Sequence, residues 1–146
     1  MRRNDNSKID ILIVEDNPGD ARLIKEALIE GDFVNSHTVI DGVQAMNFLH
    51  KDREYLQAPR PDLILLDLNL PKKDGREVLF EIKTDEKLKK IPVVVLTTSQ
   101  AEEDILKSYS LHANCYITKP LDYNQFVTAV RSIEDFWFSI VKLPTE

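Results

Sequence analysis

Five polar residues stand where short apolar segments of this chain end: Glu15, Asp16, Asp67, Thr97 and Lys119. Carboxylates held close together repel one another unless a cation lies between them, and hard oxygen ligands suit Mg²⁺. An aspartate can also act as a nucleophile and form an acyl phosphate. The charge of a transferring phosphoryl group needs cations and hydrogen-bond donors around it. These residue types therefore indicate phosphoryl transfer to a carboxylate.

The apolar segments before these residues are predicted to be strands of a parallel sheet. Residues 63–66 are four aliphatic residues in a row, and a short continuous run of this kind is typical of a strand buried on both faces. The other predicted strands are residues 9–14, 36–40, 93–96 and 115–118.

Each predicted strand is followed by a segment with helical spacing of apolar residues, such as Val43, Ala45, Met46 and Leu49 after the second strand. Ser99 and Glu102 have the spacing of a capping box at the start of the fourth helix. Five strand–helix alternations predict an α/β, doubly wound, five-stranded parallel sheet of the flavodoxin-like type, with strand order 2-1-3-4-5.

This strand order predicts that the five polar residues meet at one edge of the sheet. The first and fourth strands both lie beside the third, so Glu15 and Asp16 converge on Asp67. Asp67 is the predicted nucleophile because it is central and both other acids lie on the neighbouring strand. Thr97 adds a hydroxyl and Lys119 adds a fixed ammonium.

Composition restricts the classes of function. The chain has 146 residues, 42% of them hydrophobic and 30% charged, which predicts one ordered globular domain. The net charge of −6 argues against binding to nucleic acid or to an anionic membrane. A single cysteine, Cys115, and a polar N-terminus with no apolar signal segment predict a cytoplasmic location.

The predicted domain covers residues 9–138, between a flexible N-terminal segment (residues 1–8) and a C-terminal extension (residues 139–146). Residues 51–62 are charged, carry Pro59 and Pro61, and are long for a connection in a compact domain. Two readings are open for this segment: a solvated loop, or an insertion that contacts a partner.

The five residues, in this order and at these strand ends, resemble the receiver domain of two-component response regulators. The resemblance covers roughly residues 9–136, and nearly equal numbers of residues separate Asp67 from Asp16 and from Lys119. A finer resemblance, to single-domain regulators that pair with phytochrome-type histidine kinases, rests on residues 67–79, the long segment before Asp62, and Phe136-Trp137.

The resemblance implies a role for each residue. Asp67 accepts a phosphoryl group from a sensor histidine kinase, Thr97 hydrogen-bonds that group, and Lys119 pairs with it. Tyr116 corresponds to a switch aromatic that turns inward as Thr97 moves. The implied ligands of Mg²⁺ are Glu15, Asp16, Asp67 and the backbone carbonyl of Asn69.

Aromatic residues near the C-terminus predict an interface. Phe126, Val130 and Ile133 suffice to pack the last helix on the sheet, which leaves Phe136 and Phe138 without an obvious place in the core. The predicted interface residues are Tyr116, Phe136, Trp137 and Phe138. The alternative is that this tail folds back over its own domain. We expect a homodimer through the surface of the fourth helix, fifth strand (with Tyr116) and fifth helix, together with the tail.

Three other functions compete with phosphoryl transfer to Asp67. A flavodoxin-like cofactor binder is disfavoured because Glu15 and Asp16 would repel an unmetallated phosphate. A phosphohydrolase would need a second acid two residues after Asp67, where Asn69 stands. A degenerate receiver acting as a phosphorylation-independent scaffold is the remaining alternative, although this chain keeps all five groups. The few residues after Pro120 predict output by protein contact and not by DNA binding.

Overall fold

The structure of the chain, a computed structural model, describes residues 9–29, 34–97, 100–108, 113, 115–119, 124 and 128. The strands are β1 (Ile9–Val14), β2 (Val34–Val39), β3 (Leu63–Asp67), β4 (Val93–Thr97) and β5 (Cys115–Thr118). The α-helices in the described part of the chain are α1 (Pro18–Ile29), α2 (Gly42–His50), α3 (Gly75–Thr84) and α4 (Gln100–Ser108). The strands form one sheet in the order β2-β1-β3-β4-β5 with every pairing parallel, so the predicted fold and strand order are confirmed.

Helices cover both faces of this sheet. On one face, Ile24 and Leu28 of α1 pack against alternate residues of β1, β3 and β4. On the other face, Phe48 of α2, Leu79 of α3 and Leu106 of α4 pack against the intervening residues. Burial on both sides explains why the central strands are continuous apolar runs and do not alternate with polar residues.

Two predictions from the sequence were wrong in detail around β2 and α2. The predicted strand, residues 36–40, begins two residues late and ends one residue late, because β2 is a half-exposed edge strand with a weak apolar pattern. In α2 the buried face includes Phe48, whereas Val43 is 46% exposed. Val43 lies in the first turn and points away from the sheet that Ala45 and Leu49 face.

The long connection before β3 is partly ordered. It contains a 3₁₀ turn at Arg53–Tyr55, and the Tyr55 ring packs on Phe48 with ring centroids 5.4 Å apart. Leu56 is 69% exposed. The connection is therefore anchored to the core at Tyr55 and Ala58 and open to solvent at Leu56.

Parts of the predicted organisation lie outside the described residues: the capping residue Ser99, the segments 1–8 and 139–146, and most of the last helix, of which Asn124 and Thr128 are described as helical. Among the helices that are described, none is both long enough and apolar enough to cross a membrane.

Two glycines allow the loop after β3 to pass close to its neighbours. A Cβ at Gly42 would overlap the backbone carbonyl and Cβ of Lys73, and one at Gly75 would overlap the carbonyl of Asp67. The Gly42 N–H also faces the Pro71 carbonyl at 3.5 Å. The loop that carries Asn69 can therefore follow this path because Gly42 of α2 and Gly75 of α3 have no side chain at the points of contact.

We predict that Gly42→Ala lowers the free energy of unfolding by at least about 2 kcal/mol, because the added methyl group has backbone as its neighbour and cannot be accommodated by a side-chain rotation. Urea denaturation measures the change. Gly19→Ala is the matched control, since Gly19 also lies in the first turn of a helix and a Cβ there would meet only the Asn17 side chain, at 3.2 Å. Equal stability of the two variants would contradict the prediction.

Candidate functional site

Backbone hydrogen bonds hold the carboxyl ends of the strands in fixed positions. The Glu15 N–H donates to the Val39 carbonyl at 3.0 Å, and the Leu68 N–H donates to the Leu96 carbonyl at 3.3 Å. The Lys119 N–H donates to the Thr97 carbonyl at 2.6 Å. The residues that follow β1, β3, β4 and β5 are therefore brought to the same edge of the sheet, as the strand order predicts.

Three acids meet at this edge. One carboxylate oxygen each from Glu15, Asp16 and Asp67 lies within 4.8 Å of the others. Glu15 and Asp67 are each 1% exposed, whereas Asp16 faces solvent. The cluster thus has a buried interior and one open side.

The ammonium of Lys119 lies against these acids. Its Nζ is 3.0 Å from Glu15 Oε1 and 3.1 Å from Asp67 Oδ2. It is also 3.1 Å from Asp20 Oδ2, a contact that was not predicted. Asp20 lies in the first turn of α1, where an acid is expected for its favourable interaction with the helix dipole alone, so the sequence carries no separate signal for this contact.

Burial and charge shift the ionisation of this cluster. Burial, reinforced by the neighbouring Asp67, raises the pKa of Glu15 to about 7. Burial by itself would lower the pKa of Lys119, but its carboxylate partners outweigh that effect and raise the pKa above its ordinary value. The site therefore has more negative charge than one ammonium can neutralise.

These residues fit a divalent cation. A buried carboxylate whose pKa is raised by burial and a like charge is stabilised in its ionised form when a cation lies beside it. The oxygens of the three acids are ligands of the hard type that Mg²⁺ and Mn²⁺ share. Asn69 is exposed, and its N–H donates to Asp67 Oδ1 at 3.0 Å, so its backbone follows the cluster directly. A ligand role for the Asn69 carbonyl stays a prediction.

The hydroxyl of Thr97 is fully buried and has no hydrogen-bond partner among the described residues. In the β4–β5 register, Val95 is opposite Tyr116 and Thr97 is opposite Thr118. Since residues two apart share a face, Thr97 and Tyr116 lie on the same side of the sheet, with Leu106 of α4. The Tyr116 ring is half-buried and its hydroxyl accepts the Ala113 N–H at 3.2 Å.

An ion pair that the sequence did not predict joins the start of α3 to α4. Asp74 and Glu77 form a capping box at the start of α3. The Arg76 guanidinium lies 3.1 Å from Asp74 Oδ2 and 3.2 Å from Glu102 Oε2. The start of α3 and the first turn of α4 are thereby linked. The predicted interface residues Phe136, Trp137 and Phe138 lie outside the described part of the chain, so that interface stays a prediction.

Comparisons with known proteins agree with this geometry. A family model for the response regulator receiver domain matches residues 11–131. The response regulator Rcp1 of Synechocystis sp. is 53% identical over 135 residues, which cover 92% of each chain. The crystal structure of the phosphorylated cyanobacterial phytochrome response regulator RcpA superposes with a TM-score of 0.84 at 56% identity, covering 95% of this chain and 100% of RcpA. The Mn²⁺-bound form of Rcp1 gives a TM-score of 0.81 at 51% identity, covering 94% and 99%.

We predict that Asp67→Asn raises the free energy of unfolding of the metal-free protein by about 1 kcal/mol, the order of the repulsion between two unit charges about 4 Å apart in bulk water. The variant removes the repulsion between Asp67 and Glu15, while Lys119 keeps Glu15 and Asp20 as partners. Denaturation in a chelator at neutral pH measures the change. Asp52→Asn, which removes an exposed charge from the connection between α2 and β3, is the control and should have little effect. A destabilised Asp67→Asn variant would contradict the prediction.

Proposed function

Because the chain belongs to the response regulator receiver family of two-component signalling, we propose that it accepts a phosphoryl group on Asp67 from a histidine kinase and signals through contacts with other proteins. One observation carries this proposal. The buried Asp67 carboxylate forms, with Glu15 and Asp16, a cluster that fits a divalent cation, and the Lys119 ammonium lies 3.1 Å from it. Mg²⁺ is the proposed metal.

In the proposed reaction, an Asp67 carboxylate oxygen forms a bond to phosphorus as the bond from phosphorus to the donor histidine nitrogen breaks, and the imidazole leaves with a proton from solvent. The Asn69 N–H and the Lys119 ammonium each hold one oxygen of Asp67, which fixes the orientation of the carboxylate. Glu15, Asp16, Asp67 and the Asn69 carbonyl would hold Mg²⁺, which would supply positive charge to the phosphoryl oxygens.

Thr97 and Lys119 respond to the new group. The Thr97 hydroxyl has no partner among the described residues and is free to donate to a phosphoryl oxygen, while the ammonium is close enough to neutralise its charge. Movement of Thr97 toward Asp67 alters the face that it shares with Tyr116 and α4. That face is the proposed route from phosphorylation to a change in binding.

The proposed phosphodonor is a phytochrome-type histidine kinase. The support is the similarity over nearly the whole chain to RcpA, a phytochrome response regulator, and to Rcp1. The competing function, a phosphorylation-independent scaffold, is disfavoured by the convergence of the acids, Lys119 and Thr97 at one edge. The protein is then a phosphoacceptor that catalyses only its own phosphorylation and dephosphorylation. Its cytoplasmic location stays a prediction.

We predict that incubation with Mg²⁺ and phosphoramidate gives one acid-stable, base-labile phosphate per chain, as expected of an acyl phosphate. Intact-mass spectrometry before and after mild base measures it. Asp67→Asn should abolish incorporation, whereas the distal Asp52→Asn should not change it. If the unaltered chain takes up no phosphate under conditions in which it binds Mg²⁺, the scaffold function is favoured instead.

We also propose a homodimer formed by α4, β5, the predicted fifth helix and the C-terminal tail. Sedimentation velocity over a range of concentrations should show association, and the double variant Phe136→Ala/Phe138→Ala should weaken it because large apolar anchors dominate such interfaces. Phe80→Ala is the control, since Phe80 is 54% exposed on α3, outside the proposed interface. A monomer at all concentrations, with and without phosphodonor, would rule the dimer out.

A further inference from the structure

The ammonium of Lys119 has three carboxylate partners of two kinds. Glu15 and Asp67 belong to the acid cluster that fits a divalent cation. Asp20, at 3.1 Å, is outside that cluster and comes from the first turn of α1. An ammonium has three N–H groups, so it can serve one carboxylate with each.

Lys119 and a divalent cation would compete for the same carboxylates. The contacts of Nζ with Glu15 and Asp67, at 3.0 and 3.1 Å, are made to the carboxylates that would ligate the metal. Metal binding draws on the charge and lone pairs of both groups and weakens their hold on the ammonium. A lysine side chain that is only 13% exposed is destabilised when it loses its partners.

Asp20 is the partner of Lys119 that is not a proposed metal ligand. Its position is fixed by the turn between β1 and α1, because the Asp20 N–H donates to Asn17 Oδ1 at 2.9 Å and the Asn17 N–H donates to Glu15 Oε2 at 3.2 Å. The buried Ala21 and Ile24 hold the same helix on the sheet. The Asp20 carboxylate is therefore placed beside Lys119 by the start of α1, whose turn is itself hydrogen-bonded to Glu15 of the acid cluster.

We propose that Asp20 is a positioning residue for Lys119: it keeps the ammonium paired when Glu15 and Asp67 turn to the metal, and it thereby raises the affinity of the site for Mg²⁺. The inference rests on the proposed function, because it takes the three-acid cluster as the metal site.

Isothermal titration calorimetry with Mg²⁺ alone, without phosphodonor, tests this role. Asp20→Asn should weaken Mg²⁺ binding about threefold to tenfold, the scale of one partly exposed hydrogen bond to a charged group. Glu26→Gln is the matched control. It removes the same charge from the same helix, where Glu26 pairs with Arg22 at 3.2 Å, and should leave the dissociation constant unchanged.

A double-mutant cycle with Lys119→Met separates positioning from direct action on the metal. If Asp20 acts through Lys119, Asp20→Asn should have no more effect than Glu26→Gln in the Lys119→Met background. An equal loss of affinity with and without Lys119 would overturn the inference. Asp20→Ala, which also lacks the carboxylate, must reproduce the Asn result, and circular dichroism confirms that each variant is folded.

The outcomes also separate this inference from the function on which it rests. If Asp20→Asn and the unaltered chain bind Mg²⁺ with the same affinity, the proposed role of Asp20 is overturned and the proposed metal site is not. An unaltered chain that binds no Mg²⁺ would overturn the proposed metal site, and the inference with it.

Discussion

The contact of one ammonium with several carboxylates is the interaction on which the site depends. Glu15 and Asp67 are almost completely buried, and unpaired charges at such depth would destabilise the fold. Lys119 meets both of them and so joins the end of β5 to the ends of β1 and β3. Because the acids outnumber the ammonium, the neutralisation is incomplete. A divalent cation would fit such a site because it would supply the missing positive charge.

The rest of the fold keeps these groups in position and connects them to the surface. Apolar strands buried on both faces fix the edge at which the acids meet. Gly42 and Gly75 let the loop after β3 lie directly on α2 and on the end of β3. Arg76 then links the start of α3 to Glu102 of α4, so a change in that loop has a charged contact through which to reach α4. The loop that carries Asn69 is thus in contact with α2 and with the end of β3.

Much of the fold and of the site could be predicted from the sequence, for identifiable reasons. Long apolar runs such as residues 63–66 define strands, and the ends of parallel strands must meet at one edge, which placed Glu15 and Asp67 together. Asp20 was missed because its contact with Lys119 depends on how α1 lies against β5, and no local pattern encodes that. Val43 was assigned to the buried face of α2 because a short helix gives too few apolar positions to fix its orientation.

The buried hydroxyl of Thr97 suggests how the proposed phosphorylation could favour a second conformation. A buried polar group without a hydrogen bond costs about 1–3 kcal/mol, and Thr97 has no partner among the described residues. A phosphoryl oxygen on Asp67 would provide one only in the conformation that brings Thr97 toward it. Since a group shifts an equilibrium by no more than its differential interaction with the two states, this contact alone is worth roughly 5- to 150-fold. Such a factor is sufficient for a switch, provided that the two conformations of the Tyr116 face differ in free energy by a similar amount.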